Sequence, residues 1–191
     1  ARIVFLGRPQ PNKFPSTNFF FDPQRFEALK EWHQRFEAAG AAAELTDRLE
    51  ERWREATGES RADAVMTLAI VDGLAGRFDA ARGRLSEAAD GYDDDRLRLV
   101  LAQLLVQQNE PTDALMRLRQ ISAPIGQILE DSLNGQLQLA ERLDQTDVAR
   151  QAALRLFGIR LGDTNNELLQ SHLRRLGLDQ HAAHLRTRSG S

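Results

Sequence analysis

The sequence contains no cysteine among its 191 residues, and this absence excludes disulfide bonds, thiol catalysis and cysteine-ligated zinc. It does not identify the redox compartment, since proteins of either kind of compartment can lack cysteine. Long apolar runs are absent as well, because none approaches the ~18 residues that a membrane-spanning helix needs. A strong positive charge is also missing. The net charge of −3 argues against a general nucleic-acid binder, whose affinity comes largely from neutralising phosphates.

Lysine is almost absent, since Lys13 and Lys30 are the only lysines among 25 basic residues. Arginine makes bidentate and stacking contacts that suit interfaces. A GC-rich genome produces the same bias, and we favour that explanation. With 28% charged and 41% hydrophobic residues, the composition is that of a globular protein rather than a disordered one. The length suits one sizeable domain or a short repeat array.

The first 21 residues differ from all that follow and predict an extended N-terminal arm. Ile3–Leu6 is a short run with β propensity, and Phe19–Phe21 is a second apolar cluster. Three prolines, at positions 9, 11 and 15, lie between them and disfavour helix. An exposed segment this apolar is an aggregation hazard. We therefore expect the arm to dock on its own chain, on a partner protein or on a domain further upstream.

From residue 22 onward the pattern predicts helices. Asp22 is a good N-cap, and Pro23 occupies the first helical position, where a missing N–H costs nothing. Apolar residues then recur at helical spacing until Gly40 ends the first helix. A second helix follows. We expect Trp32 and Trp53 to pack in the core of this first hairpin.

Residues 64–89 predict two short amphipathic helices that reverse direction at Gly76. Ser60 resembles the N-cap of a capping box, with aspartate three residues later in place of glutamate. Weaker versions of this hairpin follow along the chain. One breaks at residues 109–111, and a longer helix is predicted to begin at Ile125.

Small residues recur where the second helix of each predicted pair meets the first, at intervals of 33, 35 and 33. These residues are Ala81, Ala114, Ala149 and Ala182. The period, together with the pattern A-x3-L-x2-A in Ala81, Leu85 and Ala88, resembles the tetratricopeptide repeat. In that family's pattern Leu68 and Ala69 occupy the Leu-Gly positions, whereas Asp72 stands where tyrosine is usual.

The resemblance implies an all-α fold, a right-handed superhelix of about five antiparallel helical hairpins. It covers residues 60–187 most clearly, with residues 22–58 as a divergent first hairpin. We therefore expect a repeat domain over residues 22–188 that follows the arm of residues 1–21. A single hairpin cannot bury its apolar face alone, so neighbouring hairpins stack and curve.

The resemblance also implies which side chains line the concave face. Carried over residue by residue, the family's groove positions fall on the first helices of two successive hairpins. The residues of this predicted groove are Met66, Ile70, Leu74, Leu99, Gln103, Val106 and Gln107. Its floor is apolar and its glutamines can hydrogen-bond to a peptide backbone. The alternative is that these side chains simply pack inside a tight superhelix.

Three functions fit this architecture. The first is a non-enzymatic scaffold that binds an apolar peptide or helix of a protein partner in the predicted groove. The second is a structural accessory subunit of a larger complex, anchored by the N-terminal arm. The third is the helical accessory domain of a larger enzyme. None of them requires a cofactor, a nucleic acid or a membrane span.

Two clusters could bind metal ions, but neither has a full ligand set. His181 and His184 share a helix face, as zinc ligands can, without a companion carboxylate at useful spacing. The acidic run 90–95 lacks the order of oxygens and the final glutamate of a calcium loop. We therefore expect surface histidines and a solvated turn. No phosphate loop or nucleophile motif occurs in the sequence, which favours a binding protein over an enzyme.

Overall fold

The computed structural model describes residues 23–160 and 166–188, and within these ranges every regular element is a helix. This confirms the predicted all-α class. The helices are α1 (Pro23–Ala38), α2 (Ala42–Glu55), α3 (Glu59–Leu74), α4 (Phe78–Gly91), α5 (Asp95–Gln107), α6 (Pro111–Arg119), α7 (Gln127–Arg142), α8 (Thr146–Ile159), α9 (Glu167–Arg175) and α10 (Asp179–Arg188). In the described ranges, no helix combines the length and the hydropathy that a membrane span requires.

The helices belong to two compact units, of which the first ends at Glu110 and the second begins at Pro111. In the first unit α1 packs on α2 and α3 packs on α4, while α3 also contacts α1, α2 and α5. In the second unit α7 packs on α6 and α8, and α9 packs on α8 and α10. The N-terminal arm lies outside the described residues. The single repeat domain over residues 22–188 stays a prediction.

One turn recurs at the end of α1, α3, α5, α7 and α9. In each case a residue with a φ between 57° and 73° follows the helix, and four of these turns are spaced like the alanines, 33, 35 and 33 residues apart. The next residue donates its backbone N–H to the carbonyl five positions earlier, at 2.7–2.8 Å. This is the Schellman arrangement, which satisfies a carbonyl that the helix end leaves free. The turn residues are Gly40, Gly76, Asn109, Asp144 and Gly177.

The residue five positions after each turn is buried, with at most 4% of its surface exposed. These residues are Leu45, Ala81, Ala114, Ala149 and Ala182. The alanines that marked the period in the sequence are therefore core residues. A side chain without γ atoms at this position lets the second helix approach closely.

Three local predictions are wrong. Trp32 is 55% exposed, because α1 instead buries Leu29 and His33, which lie one turn apart on a neighbouring face. Ser60 does not cap α3, since its hydroxyl donates to the carbonyl of Thr57 at 2.6 Å. Ile125 is 78% exposed, because it lies in the turn before α7 rather than within the helix.

Candidate binding surface

All seven residues of the predicted groove lie on α3 and α5, which contact each other in the first unit. Met66, Ile70 and Leu99 are buried, with at most 5% of their surface exposed. Because α3 touches four other helices, its side chains are enclosed over most of its length. These three residues can therefore support a binding surface, but a partner cannot reach them directly.

The accessible part of the predicted groove lies at the C-terminal ends of α3 and α5. Leu74, Gln103 and Val106 are half-buried, and Gln107 is exposed. This part combines two apolar side chains with two amides. Gln103 and Gln107 lie four residues apart, so their amides share one face of α5.

An ion pair joins the same two helices near their N-terminal ends. Arg96 of α5 donates an Nη1 hydrogen bond to Asp63 of α3 at 3.1 Å. Asp94, the N-cap of α5, accepts from the backbone and guanidinium of Arg96 and fixes its orientation. Burial by itself raises the pKa of the Asp94 carboxyl, but its hydrogen bonds with Arg96 outweigh burial and hold the pKa below its usual range.

A buried carboxylate links α2, α3 and α4 in the same unit. Asp72 is fully buried, and both of its oxygens are bound. Arg77 donates from Nε to Oδ1 at 3.0 Å, and Arg84 donates from Nε to Oδ2 at 2.9 Å. Arg84 also contacts Glu50, and Arg77 reaches Thr46 at 2.8 Å. The network links three helices around one compensated charge, which stabilises the part of the first unit that carries the predicted groove.

Reasoning from the sequence did not identify this network. It noted only that Asp72 replaces the tyrosine of the family pattern. The available signal was a pair of arginines on the far side of the Gly76 turn, Arg77 and Arg84. A carboxylate in an otherwise apolar helix needs a partner when it is buried.

Buried polar groups also specify the packing of α6 on α7 in the second unit. Ser132 Oγ and Gln136 Nε2 both donate to the backbone carbonyl of Leu118, at 2.9 and 3.1 Å. This carbonyl lies in the last turn of α6 and also accepts the backbone N–H of Ile121, at 3.2 Å. Gly135 permits the close approach, since a Cβ there would lie 2.7 Å from Leu118 Cδ1.

The histidines and the acidic run are engaged in packing and ion pairs. His181 and His184 lie edge-on to Phe157, with ring centroids 5.1 and 6.1 Å away. Within the acidic run, Asp93 and Asp95 pair with Arg98, at 3.2 and 2.6 Å. Within the described ranges no group of three or more histidine, aspartate or glutamate side chains is arranged to hold a metal ion.

A cleft of about 210 Å³ lies in the second unit and includes Glu141, Thr146 and Arg175 in its lining. Glu141 binds His172 at 2.8 Å and Arg175 at 3.5 Å, so the acidic and basic groups neutralise each other. These contacts tie α7 to α9. The charged residues that line the cleft therefore serve to pack α9 against α7.

Compared with protein-family models, with curated proteins and with solved structures, the chain matches none of them.

Proposed function

We propose that this chain is a non-enzymatic protein-interaction scaffold, a right-handed superhelix of hairpins similar to tetratricopeptide repeats. The observation that carries the proposal is the turn that recurs after α1, α3, α5, α7 and α9. A turn repeated at nearly constant spacing indicates a repeat array, and such arrays offer an extended surface built from equivalent helices. In this proposal α3 and α5 line the concave face.

The partner in this proposal is an apolar peptide or helix. Leu74 and Val106 offer it apolar contact, and Gln103 and Gln107 offer hydrogen bonds at the border of the surface. The buried residues Met66, Ile70 and Leu99 form the floor beneath them. An amphipathic helix that lays its apolar face on a hydrophobic surface is a recurrent mode of peptide recognition.

The test is selection of binding peptides from a displayed library, followed by affinity measurement with two variants. Leu74→Glu/Val106→Glu places charge on the accessible strip, and we expect it to weaken binding at least tenfold, which is about 1.4 kcal/mol. Trp32→Glu is the control, because it also replaces an accessible apolar residue of the same unit with a glutamate, although it adds one negative charge rather than two. Melting curves check that both variants fold.

Two results would contradict the proposal. One is a library that yields no specific peptide. The other is a selected peptide that binds the double variant and the parent protein equally well. Met66 and Leu99 are unsuitable for this test, since a charge at a fully enclosed position unfolds the helix pair.

The N-terminal arm completes the proposal. We propose that residues 1–21 dock either on the predicted groove of their own chain or on a partner. If the arm occupies the groove, its removal exposes apolar surface and increases the binding of a hydrophobic dye. Unchanged dye binding and unchanged stability would show that the arm does not dock on its own chain.

A further inference from the structure

A row of polar side chains follows one face of α7. Successive members are three or four residues apart, which places them on the same side of the helix. We call this row the α7 polar stripe, and its members are Gln127, Asp131, Asn134, Gln138 and Arg142. The buried residues Leu133, Leu137 and Ala140 lie on a different face.

Asp131 is the buried member of the stripe, with 3% of its surface exposed. Its Oδ1 accepts a hydrogen bond from Gln127 Nε2 at 2.8 Å. Its Oδ2 is buried and has no hydrogen-bond partner among the described residues. An ionised oxygen in this position lacks a donor, and a protonated one would lack an acceptor. In either form Oδ2 lacks a hydrogen bond, and a buried polar atom without one lowers the stability of the fold.

The charge of Asp131 is not balanced by its surroundings. Arg160 acts on it, but the Arg160 guanidinium is bound to Glu130, with Nη2 and Nε at 3.1 and 3.2 Å from Oε2. The pKa of Asp131 is raised from 3.8 to about 6, chiefly because the carboxyl group is buried. That value is the net result of burial, of Glu130, which also raises the pKa, and of Gln127 and Arg160, which lower it. At neutral pH the site therefore has an excess of negative charge in a place that water barely reaches.

We propose that the α7 polar stripe binds the cationic end of a basic peptide side chain, a guanidinium or an ammonium group, at Asp131. Asp131 is nearly enclosed, so the cation can enter only at Oδ1, where the exposed Gln127 now donates its hydrogen bond. In this proposal the Gln127 amide rotates away, and a guanidinium that takes its place extends a second, parallel N–H bond to Oδ2. Asn134 and Gln138 are half-buried on the same face, and their amide oxygens accept further N–H groups. This site lies in the second unit, and the inference does not depend on the predicted groove.

The experiment is an NMR titration of the full chain in which the Asp131 carboxyl carbon is observed at pH 7.5 and constant ionic strength. The probes are three capped tripeptides, Ala-Arg-Ala, Ala-Lys-Ala and the neutral control Ala-Gln-Ala. We expect a saturable shift with at least one basic peptide and none with the neutral one. Comparing the affinities of the two basic peptides shows whether the site prefers a guanidinium or an ammonium group. Because the cation binds only the ionised carboxylate, it also lowers the pKa of Asp131, by about one unit at a peptide concentration of ten times Kd.

Matched variants make the assignment specific. Asp131→Asn should abolish the binding of the basic peptide, followed through amide shifts, whereas Asp147→Asn changes an exposed carboxylate of α8 and should preserve it. Gln127→Ala should bind about threefold more tightly, since no amide has to be displaced. The proposal is overturned if Asp131→Asn binds as well as the parent. It is equally overturned if the neutral peptide produces the same shift or if no peptide binds, in which case Oδ2 holds only a water molecule.

Discussion

Each unit of the molecule buries an aspartate on the first helix of a hairpin, but the two carboxylates are treated differently. Asp72 of α3 is fully enclosed and has both oxygens bound by Arg77 and Arg84. Asp131 of α7 is 3% exposed and has one oxygen bound by an uncharged amide. In the first arrangement the buried charge is compensated and both oxygens are hydrogen-bonded. The second arrangement destabilises the fold unless another group binds the remaining oxygen.

The largest expected effect comes from breaking the compensated site. Asp72→Ala leaves Arg77 and Arg84 without their shared carboxylate, and we expect the free energy of unfolding to fall by about 3 kcal/mol. Urea denaturation followed by circular dichroism measures this loss. Asp72→Leu/Arg84→Met also removes the more buried of the two arginines and should cost clearly less, because Arg77 is 40% exposed to solvent and Glu50 keeps Arg54 as its partner. An equal or larger loss in the double variant would show that shape rather than charge governs the site.

Removing the charge of Asp131 should have the opposite effect from removing that of Asp72, a gain in stability relative to the parent as the pH rises. Its pKa rises from the ordinary value of 3.8 to about 6 in the folded state, so the folded chain binds more protons between these values. Stability therefore falls as the pH rises from about 4 to 6 and stays low above that. Asp131→Asn removes this dependence, and its stability relative to the parent should rise by about 2 kcal/mol between pH 4 and pH 8. Comparing the variants at two pH values cancels the constant cost of the amide. A relative stability independent of pH would contradict the buried, uncompensated charge.

Two helical glycines sharpen the comparison of packing. Gly135→Ala brings a Cβ to 2.7 Å from Leu118 Cδ1, whereas a Cβ at Gly83 meets no atom within 4 Å. We expect Gly135→Ala to lose roughly 1 kcal/mol despite its better helix propensity, and Gly83→Ala to gain up to about 1 kcal/mol. Thermal melting of both variants tests the difference. If both substitutions stabilise the protein, Leu118 moves aside without cost.

The smallest expected effects lie in the recurring turn. Asn109 and Asp144 adopt positive φ where three other turns have glycine. Asn109→Gly and Asp144→Gly should each stabilise the protein by about 0.5 kcal/mol, while Gly76→Ala should cost about 1 kcal/mol. Chemical denaturation at matched protein concentration measures both. A loss on changing Asn109 to glycine would show that its side chain contributes more than its backbone conformation.

Local features of the fold were predictable from the sequence. Gly76 and Pro111 mark helix boundaries through backbone conformation alone, and the period of the alanines reflects a buried position five residues after four of the turns. Trp32 and Ser60 were not predictable, because exposure and capping depend on which neighbouring groups compete for the same face or hydrogen bond. The burial of Asp72 and Asp131 could not be predicted from the sequence for the same reason. A carboxylate on a helix looks alike in sequence whether it faces solvent or an enclosed guanidinium.

The candidate site was predictable in part. The sequence, read through the resemblance, placed the predicted groove on two helices that do contact each other. It did not separate Met66, which is enclosed, from Val106, which a partner can touch, because both are apolar residues at groove positions. That distinction needs the packing of a third and a fourth helix around α3.

The recurring turn has a consequence for the speed of folding. Its backbone hydrogen bond spans only five residues, and it brings together helices that are neighbours in the sequence. Chains dominated by such short-range contacts close small loops and fold fast, in microseconds to milliseconds. We therefore expect folding to begin at any of these turns and to spread as neighbouring hairpins stack on the first one formed.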